Sequence, residues 1–234
     1  MKEIFITGGT GYIGRRLIKR LLDKGHHVKA LVRAGSEKKL PPGCGFVAAN
    51  AFEPLDFNGS IPEGCTFIQL LGVPHPGPSK KEQFRKIDLA SAKASVMAAQ
   101  MAGVGHFIYI SVAQTPSGIM QAYQSCRAEA EAAISATGIP ATFIRPWYVI
   151  GPGHYWPLLI QPLLTLLELF PATSVKAKAF RVVYLKQLLN MLIHAVENTP
   201  AQGVRICEID EIRKHGGHTF FKTLACRKKL YLPP

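Results

Sequence analysis

Glycines 8, 11 and 14 stand in the run Thr7-Gly8-Gly9-Thr10-Gly11-Tyr12-Ile13-Gly14, a spacing suited to holding phosphate. Residues 2–7 before it read as a short apolar strand, and residues 15–24 after it as an amphipathic helix. Strand, glycine turn and helix in that order form the context in which a backbone binds the pyrophosphate of a dinucleotide. Gly8 would permit the tight turn and Gly11 would let the backbone approach the ligand. Gly14 would let the helix pack on the sheet. Thr10, Tyr12 and Ile13 complete the phosphate-side set, because unpaired N–H groups at a helix start attract anions. The plainer alternative is a glycine-rich connection with no ligand.

A second chemical candidate is Arg33, which ends the strand 27–33 and is followed by Ser36, Lys38 and Lys39. In a dinucleotide-binding unit the residue at that place faces the adenosine ribose. An acidic side chain there favours NAD and repels a 2′-phosphate. A guanidinium can instead grip that phosphate bidentately and stack on adenine. NADP(H) is therefore the expected cofactor, with NAD(H) less favoured. The competing reading of Arg33 is a solvated loop cation.

The elements that must position these residues alternate between strand and helix. Strands are predicted at 2–7, 27–33, 45–49, 65–71, 105–111 and 140–144, and helices at 12–24, 82–102, 120–137 and 185–197. That order predicts an α/β fold, a doubly wound parallel sheet with helices on both faces (a Rossmann fold). Residues 1–150 would form the NAD(P)-binding domain. Residues 151–234 would form a small substrate lobe and basic tail integrated with it. Two Pro/Gly-rich loops, 72–78 and 145–154, follow strand C-termini, the edge where open sheets bind ligands.

Composition bounds the function. The chain has 234 residues, 47% hydrophobic and 18% charged, enough for one well-cored globular domain. Five scattered cysteines without a Cys-x-x-Cys pair argue for reduced thiols in a cytoplasmic protein and against a zinc site. The first residues already read as the cofactor strand, so no signal peptide is expected. The formal charge of +13 could mark an anionic partner, but no recognition helix accompanies the dispersed cations. A small-molecule substrate is expected, with no specific nucleic-acid partner. The apolar window 156–170 is broken by Gln161, Pro162 and Glu168, too short to span a membrane, and suits a pocket-covering helix or subunit interface. A homodimer and a monomer are both compatible with these features.

Four ordered motifs carry a resemblance to the extended and atypical short-chain dehydrogenase/reductases over residues 1–210. They are the Gly-x-x-Gly-x-x-Gly turn, residues 103–111 as a fifth strand ending in Ser111, residues 123–131 as a catalytic helix, and residues 142–153 as a sixth strand with its loop. The resemblance implies that Asn50 and Ala51 contact adenine, that Leu71, Gly72 and Val73 line the adenosine and ribose, and that Pro146 borders the nicotinamide. It also implies a tyrosine proton donor, Tyr123, with a serine orienting the carbonyl. Ser111 is the candidate serine and the loop residue Ser117 a substitute.

Where the family carries lysine one turn after the tyrosine, this chain has Arg127. Positions 123 and 127 share a helix face, so the cation could still favour tyrosinate. Arginine cannot release a proton near neutral pH, which excludes a lysine-type relay. Cys126 beside it and His154 in the nicotinamide-side loop are lesser candidates. The implied function is an NADP(H)-dependent oxidoreductase acting on a small carbonyl or quinone-like substrate. A nucleotide-sugar epimerase or dehydratase is the second reading, and a non-catalytic NAD(P)-binding redox sensor the third.

Overall fold

The computed structural model describes residues 1–115, 120–153, 155 and 181–216. Strands β1 (Glu3–Thr7), β2 (His27–Val32), β3 (Gly45–Ala48), β4 (Thr66–Gln69), β5 (His106–Ile110) and β6 (Ala141–Ile144) lie close to the expected segments. After β6 come two short strands, β7 (Tyr148–Ile150) and β8 (Val182–Tyr184), paired with each other, and then β9 (Val204–Cys207). The main sheet has the order β3-β2-β1-β4-β5-β6-β9 and every neighbouring pair is parallel.

Helix α1 (Tyr12–Asp23) follows β1. A longer helical run between β4 and β5 comprises α2 (Lys81–Gln83), a π-helical stretch Phe84–Leu89, and α3 (Ala90–Met101). Helices α4 (Gln121–Ser135), α5 (Leu185–Glu197) and α6 (Ile209–Lys214) complete the described chain. Thus α5, β9 and α6 return the segment after residue 181 to the main layers, with α5 packed on α1 and β9 on the sheet edge. Neither β9 nor α6 was expected. Both are short, and Val204 and Ile206 lie exposed on the edge strand, so neither shows the fully apolar run of a central strand.

Central strands are buried on both faces because helices cover both. On one face Ile4 and Ile6 pack with Leu17, Ile18 and Leu21 of α1 and with Leu188 and Leu192 of α5. On the other, Phe5, Phe67 and Phe107 occupy one cross-strand row, with ring centroids 5.4 and 5.0 Å apart. Each such buried side chain contributes about 1.5–3 kcal/mol. Strand order reverses between β1 and β4, so a crevice opens above the C-terminal ends of those strands.

At the opposite edge lies a cavity of about 270 Å³ lined in part by Lys2, Glu63, Gly105, His106 and Thr199. His106 is buried there, with Nε2 2.9 Å from Thr142 Oγ1 and Nδ1 3.3 Å from Thr199 Oγ1. Burial lowers its pKa to about 4 from 6.5. Below about 6.5 the unfolded chain takes up a proton that the folded chain refuses, so stability falls as pH drops and levels off near 4. The loss is on the order of 3 kcal/mol. Denaturant unfolding across that window is expected to show this slope in the wild type and a flatter one in His106→Gln.

Candidate functional site

The β1–α1 turn gives its three glycines three different reasons. Gly8 has φ +70°, and a Cβ there would sit 2.8 Å from the backbone of Leu70 and Leu71. Gly14 lies on the turn itself, where a Cβ would strike the Gly8 carbonyl and come within 2.7 Å of Gly9 Cα. Its small size serves turn–helix packing more than helix–sheet packing. Gly11 differs. Its backbone is ordinary extended chain, its N–H donates to Gly8 O at 3.0 Å, and a Cβ would meet only Gly8 O, at 3.1 Å. The exposed face of Gly11 therefore leaves room for a ligand rather than for protein.

No side chain caps the start of α1 and no acidic residue stands in its first turn. Its orphan N–H groups and the positive end of its dipole face the crevice, where a pyrophosphate fits. Thr10 and Ile13 are half-buried at this turn. Tyr12 reaches across to the end of β7: a Cβ on Gly151 would collide with the Tyr12 hydroxyl. The Arg16 guanidinium lies 4.3 Å from the centre of the Tyr12 ring, and burial raises the pKa of that phenol.

On the adenosine side, Arg33 leaves β2 exposed, with no side-chain partner among the described residues, and exposed Lys38 and Lys39 follow in a short 3₁₀ turn. Asn50 folds the turn after β3 by accepting the Phe52 N–H at 3.1 Å, and Ala51 beside it is buried. Leu71 and Gly72 are half-buried and Val73 buried at the exit of β4. This end of the crevice is cationic and the loops around it are tied down.

The tyrosine, arginine and serine converge at the end of β5, but not as a simple tyrosine–cation pair. Arg127 is buried. Its Nη2 meets Asp88 Oδ1 at 2.5 Å, and its Nη1 donates to Tyr109 OH at 3.0 Å and to the Ile110 carbonyl at 2.9 Å. Asp88 sits on the π-helical stretch and accepts the Val73 N–H on Oδ2 at 2.9 Å. A π-helical turn often marks a functional place in a helix. Burial pushes the Asp88 carboxyl up, opposed by Arg127 and the Val73 N–H. Burial pushes the Tyr109 phenol to about 12 despite the guanidinium beside it.

Tyr123 is half-buried, its ring between Phe84 (centroids 4.8 Å apart) and the flat face of Arg127, whose Cζ lies 5.1 Å away. Ser111 is 3% exposed, and its Oγ has no hydrogen-bond partner among the described residues. Its N–H donates to Ile144 O at 2.8 Å, and the carbonyl of buried Pro146 accepts the Ala113 N–H at 3.2 Å, joining the loops after β5 and β6. Burial raises the Cys126 pKa, which leaves that thiol protonated. Ser117, His154 and the window 156–170 lie outside the described residues. Among the described residues no cluster of His, Cys, Asp or Glu could hold a metal, and no helix is long and apolar enough to cross a membrane.

Sequence reasoning placed Asp88 inside a helix and gave it no role. Its signal was present: Phe84, Asp88, Ala92 and Val96 recur every four residues on a stripe that is buried throughout. A carboxylate on such a stripe requires a counter-charge. That the counter-charge is Arg127, 39 positions away, is a fact of the fold.

A family model described as NAD(P)H-binding matches residues 8–151, more than half of the chain, and the chain belongs to that family. Among curated proteins it is similar to ceramide reductase of Caulobacter vibrioides, 24% identical over 215 residues, 91% of this chain and 66% of that one. It is also similar to the uncharacterized sugar epimerase YhfK of Bacillus subtilis, 26% identical over 152 residues, 62% and 71% of the two chains. The photosystem II assembly factor Ycf39 of Guillardia theta is 31% identical over 111 residues, 47% of this chain but 35% of that protein. This chain thus spans less than two thirds of two of these three relatives. The solved structure of the Bordetella bronchiseptica enzyme WbmH in complex with NAD+ has the same fold at TM-score 0.64 and 18% identity, covering 89% of this chain and 76% of that one.

Proposed function

We propose that the chain is an NADP(H)-dependent oxidoreductase acting on a small carbonyl or quinone-like substrate. The observation that carries this reading is the buried, unpartnered Ser111 hydroxyl at the end of β5, beside the carbonyl of Ile110 to which Arg127 is anchored. A polar atom held dry at the mouth of a ligand crevice is accounted for when a substrate oxygen completes it. Tyr123 then hands a proton to, or takes one from, that oxygen, with its ring oriented by Phe84 and Arg127. A bound nicotinamide would supply or accept the hydride. Gly11, the open start of α1, and residues 71–73 would hold the dinucleotide, with Asn50 and Ala51 at the adenine and Pro146 at the nicotinamide side. In this reading residues 1–150 bind the cofactor and residues 151–234 contribute the substrate side.

The exposed Arg33 supports the 2′-phosphate assignment. Arg33→Asp is expected to reverse the preference from NADP(H) to NAD(H). One charge-assisted contact is worth about 1.5–3 kcal/mol, or roughly ten- to a hundredfold in affinity. Calorimetric titration of both cofactors into both proteins measures this. A wild type that already prefers NADH overturns the assignment.

The buried Asp88–Arg127 pair favours one second reading, a non-catalytic sensor of nicotinamide state, because it commits the cation to the protein's own interior. Tight NADPH binding with no turnover on any carbonyl or quinone would select it.

A further inference from the structure

Cations that lie far apart in the sequence share one helical layer. Arg15, Lys19 and Arg20 belong to α1, Lys186 to α5, and Arg213 and Lys214 to α6. Arg20 Nη1 donates to Asn190 Oδ1 of α5 at 2.8 Å, and Gln187 Nε2 of α5 donates to the Arg213 carbonyl at 3.1 Å, which joins these helices side by side. Their apolar sides are committed to the core, where Leu17, Ile18, Leu188, Leu192 and Ile212 are buried. Their polar sides are left to solvent: Arg15, Lys19, Lys186 and Lys214 are exposed, and Arg20 and Arg213 half-buried.

The acids of the same helices do not offset these charges. Glu197 is held by Lys24 at 2.7 Å, Asp210 by Arg181 at 3.0 Å and Glu211 by Arg205 at 2.6 Å. Asp23, at the C-terminal end of α1, is the acid left without an ion pair among the described residues. None of the cations named above forms an ion pair with a described residue. Part of the formal charge of +13, dispersed along the sequence, is thus gathered on one face. Lysine and arginine stay protonated at any physiological pH, so the charge of that face is permanent.

We propose that the α1–α5–α6 face docks on a membrane surface that carries anionic lipid. A basic face alone would also suit nucleic acid, but the build of this one favours the bilayer. Each helix lies with its apolar stripe against the core, so none projects to enter a groove. The exposed ring of Tyr184 stands at the start of α5 next to Lys186, not interleaved with the cations as a platform for stacking bases. Tyrosine and lysine side by side are residue types that settle at the headgroup level. No large apolar side chain of α1, α5 or α6 is exposed. Contact is therefore electrostatic and reversible, made at the headgroups without insertion. Docking of this kind is independent of the reaction proposed above.

The test is cosedimentation of the purified full chain with vesicles of phosphatidylcholine alone and of phosphatidylcholine mixed with phosphatidylglycerol. Binding is expected to the anionic vesicles and not to the neutral ones. It should fall roughly tenfold or more between about 0.1 and 1 M salt, as the screening length shrinks from about 10 to 3 Å. Lys19→Glu/Lys186→Glu/Lys214→Glu is expected to weaken vesicle binding roughly a hundredfold or more, since each cation near an anionic leaflet contributes about fivefold. The milder Lys19→Gln/Lys186→Gln, expected to bind roughly twentyfold more weakly, decides the matter should the triple variant not fold. Lys81→Glu/Lys86→Glu/Lys93→Glu changes the net charge equally on the other helical layer, where Lys86 and Lys93 are exposed partners of Glu82 and Glu129. That control should bind within about threefold of wild type, because its charges lie beyond a screening length from the docked face. Equal losses in the face variants and the control would mean attraction by net charge alone and overturn the inference. Binding to neutral vesicles as tight as to anionic ones, or to neither, also overturns it. So does a wild type that ignores vesicles and binds duplex DNA, which would make nucleic acid the partner.

Discussion

Gly11→Ala is expected to lower NADPH affinity by roughly a hundredfold or more while leaving the chain folded. The methyl group meets only the Gly8 carbonyl, at 3.1 Å, and the backbone at residue 11 is one any residue adopts. A shift of a few tenths of an ångström accommodates it within the protein. On the ligand side there is no such slack, because the phosphate oxygens must come within hydrogen-bond reach of the N–H groups at the start of α1. Losing two charge-assisted bonds accounts for about 3 kcal/mol or more. The same substitution at Gly14 should act on the fold instead, since its Cβ would strike the turn backbone at Gly8 and Gly9. Thermal unfolding and calorimetry on the two variants separate these effects.

Tyr123→Phe is expected to reduce turnover by about a hundred- to ten-thousandfold, the range for removing a general acid–base group. Cofactor affinity should change little. The phenylalanine ring keeps its place between Phe84 and the face of Arg127, and only the hydroxyl is lost. Steady-state kinetics with NADPH, paired with binding measurements, checks both halves. A variant as active as wild type would show that the proton moves through another group.

Much of the sheet was legible from the sequence because its central strands are buried on both faces and read as apolar runs. The alternation of those runs with helical periodicity set the parallel architecture. What escaped lies where that signal fades: β7 and β8 are only three residues long, and β9 and α6 carry exposed or charged positions. The glycine turn was legible in kind, but packing alone distinguishes Gly11, open to a ligand, from Gly14, pressed on the turn.

Arg127 illustrates the limit most clearly. Helical spacing put it on one face with Tyr123, and its guanidinium does lie over that ring. Its bond to Asp88 joins segments 39 residues apart. No local pattern encodes such a pairing. Gly72, read only as part of a cofactor loop, owes its lack of a side chain to the same ion pair.

The most direct measurement is NADPH oxidation by the purified chain across a panel of aldehydes, ketones and quinones, with NADH run in parallel. Turnover of at least one of these classes, faster with NADPH than with NADH and lost in Tyr123→Phe, is the expected result. NADPH binding at the glycine turn without consumption in any class would contradict an oxidoreductase and leave a nicotinamide-binding sensor in its place.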